Sequence, residues 1–287
     1  MLNILVTGSN GQLGSELREA SLSYPYFSFF FTDIDELDIT DQVKVDDYFR
    51  EYNIDLVINC AAYTAVDKAE QEPDKAMLIN RDAVANLCAA CRAGNVYMIH
   101  ISTDYVFDGH QNRPYRESDP VSPASSYGRS KLAGEDAMLS CLEKGMIIRT
   151  SWLYSTYGNN FVKTILKKGA EKSELSVVND QYGCPTYARD LAYAILALIP
   201  KAISQQRLEI YHYSNEGSCS WFEFASEVVE LAGIQCKVNP VSSGMYPQAA
   251  SRPEYSILDK TKIREQFGIF IPHWKDSLKD CIGKLKI

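Results

Sequence analysis

The first half of the chain alternates short, almost wholly apolar runs with segments of helical period. "NILVTG" precedes "GQLGSELREAS", "FSFFFTD" precedes "DQVKVDDYFREYN", and "DLVINCAA" precedes a helical stretch around residues 74–94. "VYMIHIST" follows, then a loop through 108–122, a helix over "SSYGRSKLAGE", and a further strand "GMIIRTSW". The apolar runs do not alternate with polar residues, as expected of strands covered on both faces of a parallel sheet. Strands alternating with helices imply βαβ units and an α/β fold, a Rossmann-like doubly wound parallel sheet.

After about residue 150 the rhythm loosens. "LSVVND" and "LEIYHYSN" read as strands, "YARDLAYAILALI" and "SWFEFASEVVELAG" as amphipathic helices, the second capped by Ser220. Residues 237–287 read as short elements broken at Pro240, Pro247, Pro253 and Pro272. The 287 residues are long for one core and short for two full-sized domains. The expected division is a nucleotide-binding domain of residues 1–150 plus about 181–213. Residues 151–180 plus about 214–287 would form a smaller C-terminal α/β domain that covers the substrate.

Composition narrows the function classes. Hydrophobic residues make up 46% and charged residues 23%, and the net charge is −8. An acidic chain without a basic tract is a poor partner for nucleic acid or an anionic membrane. No segment is long and apolar enough to span a bilayer. "MLNILVTGSNG" lacks a basic leader region and reads as a first strand rather than a signal peptide. The eight cysteines are scattered, which predicts reduced thiols and a cytoplasmic location. Cys88 and Cys91 form a CxxC, but its helical setting reads as small core residues. The four histidines, His100, His110, His212 and His273, have no metal-ligand spacing, so no zinc site is expected.

"VTGSNGQLG" places Gly8, Gly11 and Gly14 between a strand and a helix. Glycine permits the tight turn and the close approach of backbone to a pyrophosphate, which the helix N-terminus then binds. Asp33 ends the second strand, where an acid accepts hydrogen bonds from a ribose 2′-hydroxyl and repels a 2′-phosphate. "FTDIDELDITD" holds no Arg or Lys, so the local chemistry leans towards NADH over NADPH. The competing reading of Asp33 is a turn acid. Asp38 to Asp41 would flank the adenine, with Thr40 capping the next helix.

Tyr127 and Lys131 lie one helical turn apart and share a face. A nearby ammonium stabilises a phenolate, and such a tyrosine can protonate a carbonyl as hydride arrives from a nicotinamide. Ser102, Thr103, Asp104 and Tyr105 end the fourth strand, where ligands of open α/β sheets lie, and Ser102 or Thr103 could hydrogen-bond the carbonyl. Trp152 follows a strand end, apt for stacking on a sugar but equally apt as a core residue. Arg252 in "SRPEYS" is a candidate diphosphate clamp, against the alternative of a surface salt bridge.

These stretches resemble the extended short-chain dehydrogenases/reductases, and more closely the dTDP-4-dehydrorhamnose reductases. The match is carried by "GSNGQLGSEL", "NCAAYTAVDKAE", "STDYVFDG", "YGRSKLAGE", "IRTSWLY", "NNFVKT", "VVNDQYGCPT" and "ASRPEYSILD", from residue 7 to about 259. The resemblance implies NADPH- or NADH-dependent reduction of the C4 keto group of dTDP-4-dehydro-L-rhamnose. Tyr127 would be the proton donor, with Lys131 and Thr103 completing the catalytic group. The cofactor would lie against Gly8, Asn10, Gly11, Gln12, Leu13, Gly14, Asp33, Asp38, Ile39, Cys60, Ala61, Ala62, Tyr63, Ser102, Tyr127 and Lys131. The sugar nucleotide would lie against Thr103, Asp104, Tyr105, Phe107, Trp152 and Arg252. Related dehydratases carry an Asp–Glu pair where this chain has Asp104 and Tyr105, which favours reduction over dehydration.

Some such reductases dimerise through Mg2+ held by acids of both chains. Here Glu16 matches one position, another holds Arg189 beside Asp190, and "CIGKLKI" offers no third acid. That argues against a metal-bridged dimer and leaves a monomer or homodimer. The alternatives are a reductase or epimerase of another nucleotide-linked 4-keto sugar, and a non-catalytic regulatory subunit of methionine adenosyltransferase. The joint presence of Thr103, Tyr127 and Lys131 speaks against the last.

Overall fold

The structure is a computed structural model that describes residues 1–245 and 248–285; Pro247 and the last two residues of "CIGKLKI" lie outside the described residues. Strand β1 (Leu2–Thr7) turns through the glycine loop into helix α1 (Gln12–Ser21). Then come β2 (Phe27–Thr32), α2 (Gln42–Tyr52), β3 (Leu56–Asn59) and α3 (Ala83–Gly94). β4 (Tyr97–Thr103), α4 (Ser126–Cys141) and β5 (Gly145–Thr150) complete the regular alternation. The rest of the chain contributes α5 (Phe161–Glu171), α6 (Ala188–Ala202), β6 (Leu208–His212), α7 (Trp221–Leu231) and α8 (Trp274–Lys284).

The six strands form one sheet in the order β6-β5-β4-β3-β1-β2, every pair parallel. Ile4 and Val6 pack with α1 and α6 on one face, and Leu5 packs with α2 and α3 on the other. Burial on both faces is why the strands read as unbroken apolar runs. The winding reverses at β1, which has β2 on one side and β3 on the other. Such a reversal opens a crevice at the carboxyl ends of the strands.

Three local expectations are corrected. Asp41, not Thr40, caps α2: its Oδ1 accepts from the N–H groups of Val43 at 3.1 Å and Lys44 at 3.3 Å, while the Thr40 hydroxyl donates to Asp38 at 2.7 Å. The stretch at 74–94 is not one helix. A short helix (Pro73–Met77) passes through a π-helical turn (Leu78–Asp82) into α3. The turn lies where α4 presses on it: a Cβ on Gly134 would stand 2.1 Å from the Asn80 carbonyl oxygen. Pro240 does not break an element. It sits within a two-stranded parallel ladder of Glu174–Val178 and Lys237–Val241, where an open edge tolerates a missing N–H.

A second core gathers α5, α7 and α8 around that ladder, with Val162, Leu175, Phe224, Val228, Trp274 and Leu278 at its centre. Ser220 caps α7 in a capping box with Glu223. Among the described residues, no helix is long and apolar enough to cross a membrane.

Candidate active site

One cavity of about 1400 Å³ runs along the carboxyl ends of β1 to β5 and on towards α5 and α7. Its first part is the glycine loop. Gly8 has φ +64°, and a Cβ there would fall 2.6 Å from the Ala61 backbone. A Cβ on Gly14 would fall 2.5 Å from the Gly8 oxygen and from Ser9 Cα, so only glycine lets α1 start this close to the loop. Gly11 caps α1 with no side-chain hydrogen bond, which leaves first-turn N–H groups for a ligand where Gly11, Gln12, Leu13 and Gly14 line the cavity. The loop therefore fits a pyrophosphate.

Asn10, Asp33, Ile39, Cys60, Ala61 and Ala62 line the same part. Asp33 is tied to the loop: Oδ2 accepts from the Asn10 N–H at 3.0 Å and Oδ1 from the Ile34 N–H at 2.9 Å. Asp38 and Tyr63 do not line the cavity. The Asp38 carboxylate is held by the Thr40 hydroxyl and N–H, which keep it below the usual carboxylate range. The Tyr63 hydroxyl donates to Glu72 at 2.8 Å.

The second part is the chemistry-bearing cluster. Ser125 caps α4 by accepting from the Gly128 N–H at 3.1 Å. A Cβ on Gly128 would stand 2.3 Å from the Tyr105 carbonyl oxygen, so a glycine after Tyr127 lets α4 butt against the end of β4. Tyr127, Lys131, Ser102, Thr103, Asp104 and Tyr105 all line the cavity there. Thr103 donates its hydroxyl to Asp104 Oδ1 at 3.1 Å, and the Tyr105 ring stands edge-on to Tyr127 at 5.5 Å. Ser102 is not free for a substrate carbonyl, because its hydroxyl donates to the buried Glu135.

The electrostatics differ from the expectation that Lys131 lowers the Tyr127 pKa. Desolvation pushes the phenol up to about 12; the Thr103 hydroxyl pulls it down and Asp104 adds to the rise. The Lys131 ammonium instead donates to the Ile101 carbonyl at 2.7 Å. Burial brings Lys131 down to about 8, against the opposing effects of Glu135 and Cys60. Burial also raises Asp104 to about 6, against the Ser256 and Thr103 hydroxyls that pull it down.

Further along, Trp152 takes a left-handed backbone (φ +48°) and stacks on Trp221 at 3.5 Å, with the planes 7° apart. A Cβ on Gly183 would meet the Trp152 ring at 2.5 Å. Arg252 borders the cavity but forms a two-point ion pair with Asp67, at 3.0 and 2.7 Å. Phe107 is not in the cavity. It is 2% exposed and stacked on Tyr115 at 4.2 Å, which makes it a core residue.

Sequence reasoning missed Thr150, Ser151, Asn160, Phe161, Gln181 and Trp221, all of which line the cavity. "NNFVKT" and "VVNDQYGCPT" contained three of them without indicating a role, and locally Asn160 reads only as the cap of α5. Glu16 accepts from the Ser155 hydroxyl at 2.6 Å, Arg189 pairs with Glu19, and Asp190 accepts from Asn215 at 2.7 Å. Among the described residues, no group of three or more His, Cys, Asp or Glu is placed to hold a metal.

Comparison with known proteins adds to this geometry. A family model described as RmlD substrate binding domain matches residues 2–287. A spore coat polysaccharide biosynthesis protein of Bacillus subtilis is 42% identical over 98% of this chain and 97% of its own. A dTDP-4-dehydrorhamnose reductase of Sinorhizobium fredii is 40% identical over 99% and 98%. Among solved structures, a dTDP-4-dehydrorhamnose reductase of Clostridium acetobutylicum superposes with a TM-score of 0.95 at 42% identity, covering 100% of both chains. That of Bacillus anthracis, in complex with NADP, gives 0.94 at 40% identity, covering 99% of this chain and 100% of that one.

Proposed function

The chain belongs to the RmlD substrate binding domain family, and from that premise we propose that it reduces the C4 keto group of dTDP-4-dehydro-L-rhamnose to give dTDP-L-rhamnose. The observation that carries this reading is the continuity of the cavity from the glycine loop, past Tyr127 and Thr103, to Trp152 and Arg252. A nicotinamide dinucleotide at one end and a sugar nucleotide at the other would meet at the tyrosine.

The bound nicotinamide cofactor supplies the hydride. Tyr127 donates the proton from its Oη to the carbonyl oxygen. A phenol raised to about 12 is in the protonated form this role needs at neutral pH. Thr103, whose hydroxyl already influences the phenol, orders the same carbonyl. Lys131, whose ammonium donates to the Ile101 carbonyl, holds the cofactor side of the site and is a proton source one helical turn from the phenolate. Tyr105, rather than a second acid, follows Asp104, so no carboxylate is placed there for eliminating water. Trp152 packs on the deoxysugar, and Arg252, oriented by Asp67, faces the diphosphate. Asp33 accepts the adenosine ribose, which favours NADH. The Bacillus anthracis relative was solved with NADP, so NADPH and NADH both remain cofactors for this chain. The protein would work in the cytoplasm, as a monomer or homodimer.

The test is substrate-dependent loss of NADPH or NADH absorbance with dTDP-4-dehydro-L-rhamnose. Tyr127→Phe should lower turnover by about 10²–10⁴ with cofactor affinity unchanged. Near-parent turnover in that variant would remove Tyr127 from the reaction.

A further inference from the structure

Thr7, Asn59 and His100 are register partners on three adjacent strands, β1, β3 and β4. They are 1%, 0% and 0% exposed, and the row they form ends at Lys131 on α4. The protons along it follow from donors that have no alternative. The Ala61 backbone N–H donates to Asn59 Oδ1 at 3.1 Å, and the Thr7 hydroxyl donates to the same oxygen at 2.7 Å. These bonds fix the amide, so Nδ2, which can only donate, faces His100 Nδ1 at 3.0 Å. Nδ1 must therefore accept. Burial holds the imidazole well below its ordinary pKa and hence neutral, so its single proton sits on Nε2. Nε2 lies 3.5 Å from Lys131 Nζ. An ammonium has three donors and no acceptor, so it cannot receive that N–H, whereas an uncharged amine can.

We propose that Thr7, Asn59 and His100 are positioning residues for Lys131: His100, held as its Nε2–H tautomer, offers a hydrogen bond only to the uncharged amine and so biases Lys131 towards releasing its proton. This rests on the reading of Tyr127 and Lys131 given above. Among the described residues, the other groups acting on Lys131 are Glu135 one turn away on α4, Cys60 beyond β3 and the Ile101 carbonyl of β4, with Tyr127 one turn earlier on α4. Glu135 and Cys60 favour the ammonium, and the carbonyl accepts from it. Among the described residues His100 is the neighbour that favours the amine. Lys131 thereby becomes a group that can give up a proton during turnover, rather than a fixed charge.

Two experiments test this. Nitrogen NMR of histidine-labelled protein, assigned through backbone correlations, should show His100 protonated on Nε2 and accepting at Nδ1 from about pH 6 to about pH 9. Protonation on Nδ1 overturns the proposal, whatever the activity. The second is the pH profile of kcat/KM in the parent and in His100→Gln, whose amide oxygen can accept from the ammonium. The alkaline limb should rise by roughly one pH unit, with KM at neutral pH within about twofold of the parent. An unmoved limb in folded His100→Gln overturns the proposal. A parent protein with no turnover at all would count against the proposed reaction, while the NMR result would still decide the tautomer.

Discussion

The buried ion pair behind the site gives a sharp test of the energetics. Glu135 accepts from Arg149 Nε at 3.0 and 3.2 Å and from Nη2 at 2.6 Å, and it also accepts from the Ser102 hydroxyl. The two side chains are 0% and 3% exposed. Glu135→Ala leaves a guanidinium sealed in the protein without its hydrogen-bonded ion-pair partner. The guanidinium also stands 5.2 Å from the Phe107 ring, and among the described residues Nη1 has no hydrogen-bond partner even in the parent. Losing one member of such a pair costs about 3–5 kcal/mol, because the remaining charge keeps its desolvation penalty. At about 2 °C per kcal/mol for a chain of this size, the melting temperature should fall by about 6–10 °C. Glu135→Leu combined with Arg149→Met removes both charges and should recover most of that loss. Urea unfolding followed by tryptophan fluorescence measures all three proteins. A single variant within about 1 kcal/mol of the parent, or a double variant as unstable as the single, would refute the reasoning.

Two further outcomes follow from the site. Asp104 has its folded pKa raised to about 6 from about 3.9, a difference of about 2 units or roughly 3 kcal/mol. The folded state then binds the proton more tightly, so this stability is present at low pH and lost as pH rises through about 6. Asp104→Asn should therefore raise the melting temperature at pH 8 and lose that advantage by about pH 4; a pH-independent difference would contradict the assignment. In the glycine loop, a Cβ on Gly14 would meet backbone at 2.5 Å, whereas one on Gly11 meets only the Gly8 oxygen at 3.2 Å. Gly14→Ala should cost about 1–3 kcal/mol of stability and weaken nucleotide binding at least about tenfold, and Gly11→Ala should be milder on both counts. Calorimetric titration with NADPH and thermal melts check the ranking.

Local pattern was enough for some of this. The sheet was legible because strands buried on both faces must be apolar throughout. The glycine loop was legible because only glycine tolerates the approach of α1 to the Gly8 oxygen. Tyr127 and Lys131 could be placed on one face because a helical turn separates them by four residues. Residues joined across long separations were not legible. Arg252 and Asp67 are 185 positions apart, and although a salt bridge is one of the two readings of Arg252, neither segment names the other as its partner. On the sequence alone Trp152 is equally a sugar platform or a core residue, and only the fold shows it stacked on Trp221 while still lining the cavity. Phe107 reads as part of a site motif until Tyr115 buries it. His100 looks like one apolar-strand histidine among four until the register sets it between Asn59 and Lys131. Even the sign of the Tyr127 pKa shift was decided in three dimensions. Sequence spacing puts an ammonium one turn away, but desolvation depends on everything packed around the phenol, and the ammonium donates to the Ile101 carbonyl. Backbone periodicity and steric limits are local and leave their mark on the sequence. Burial and long-range pairing belong to the folded chain as a whole.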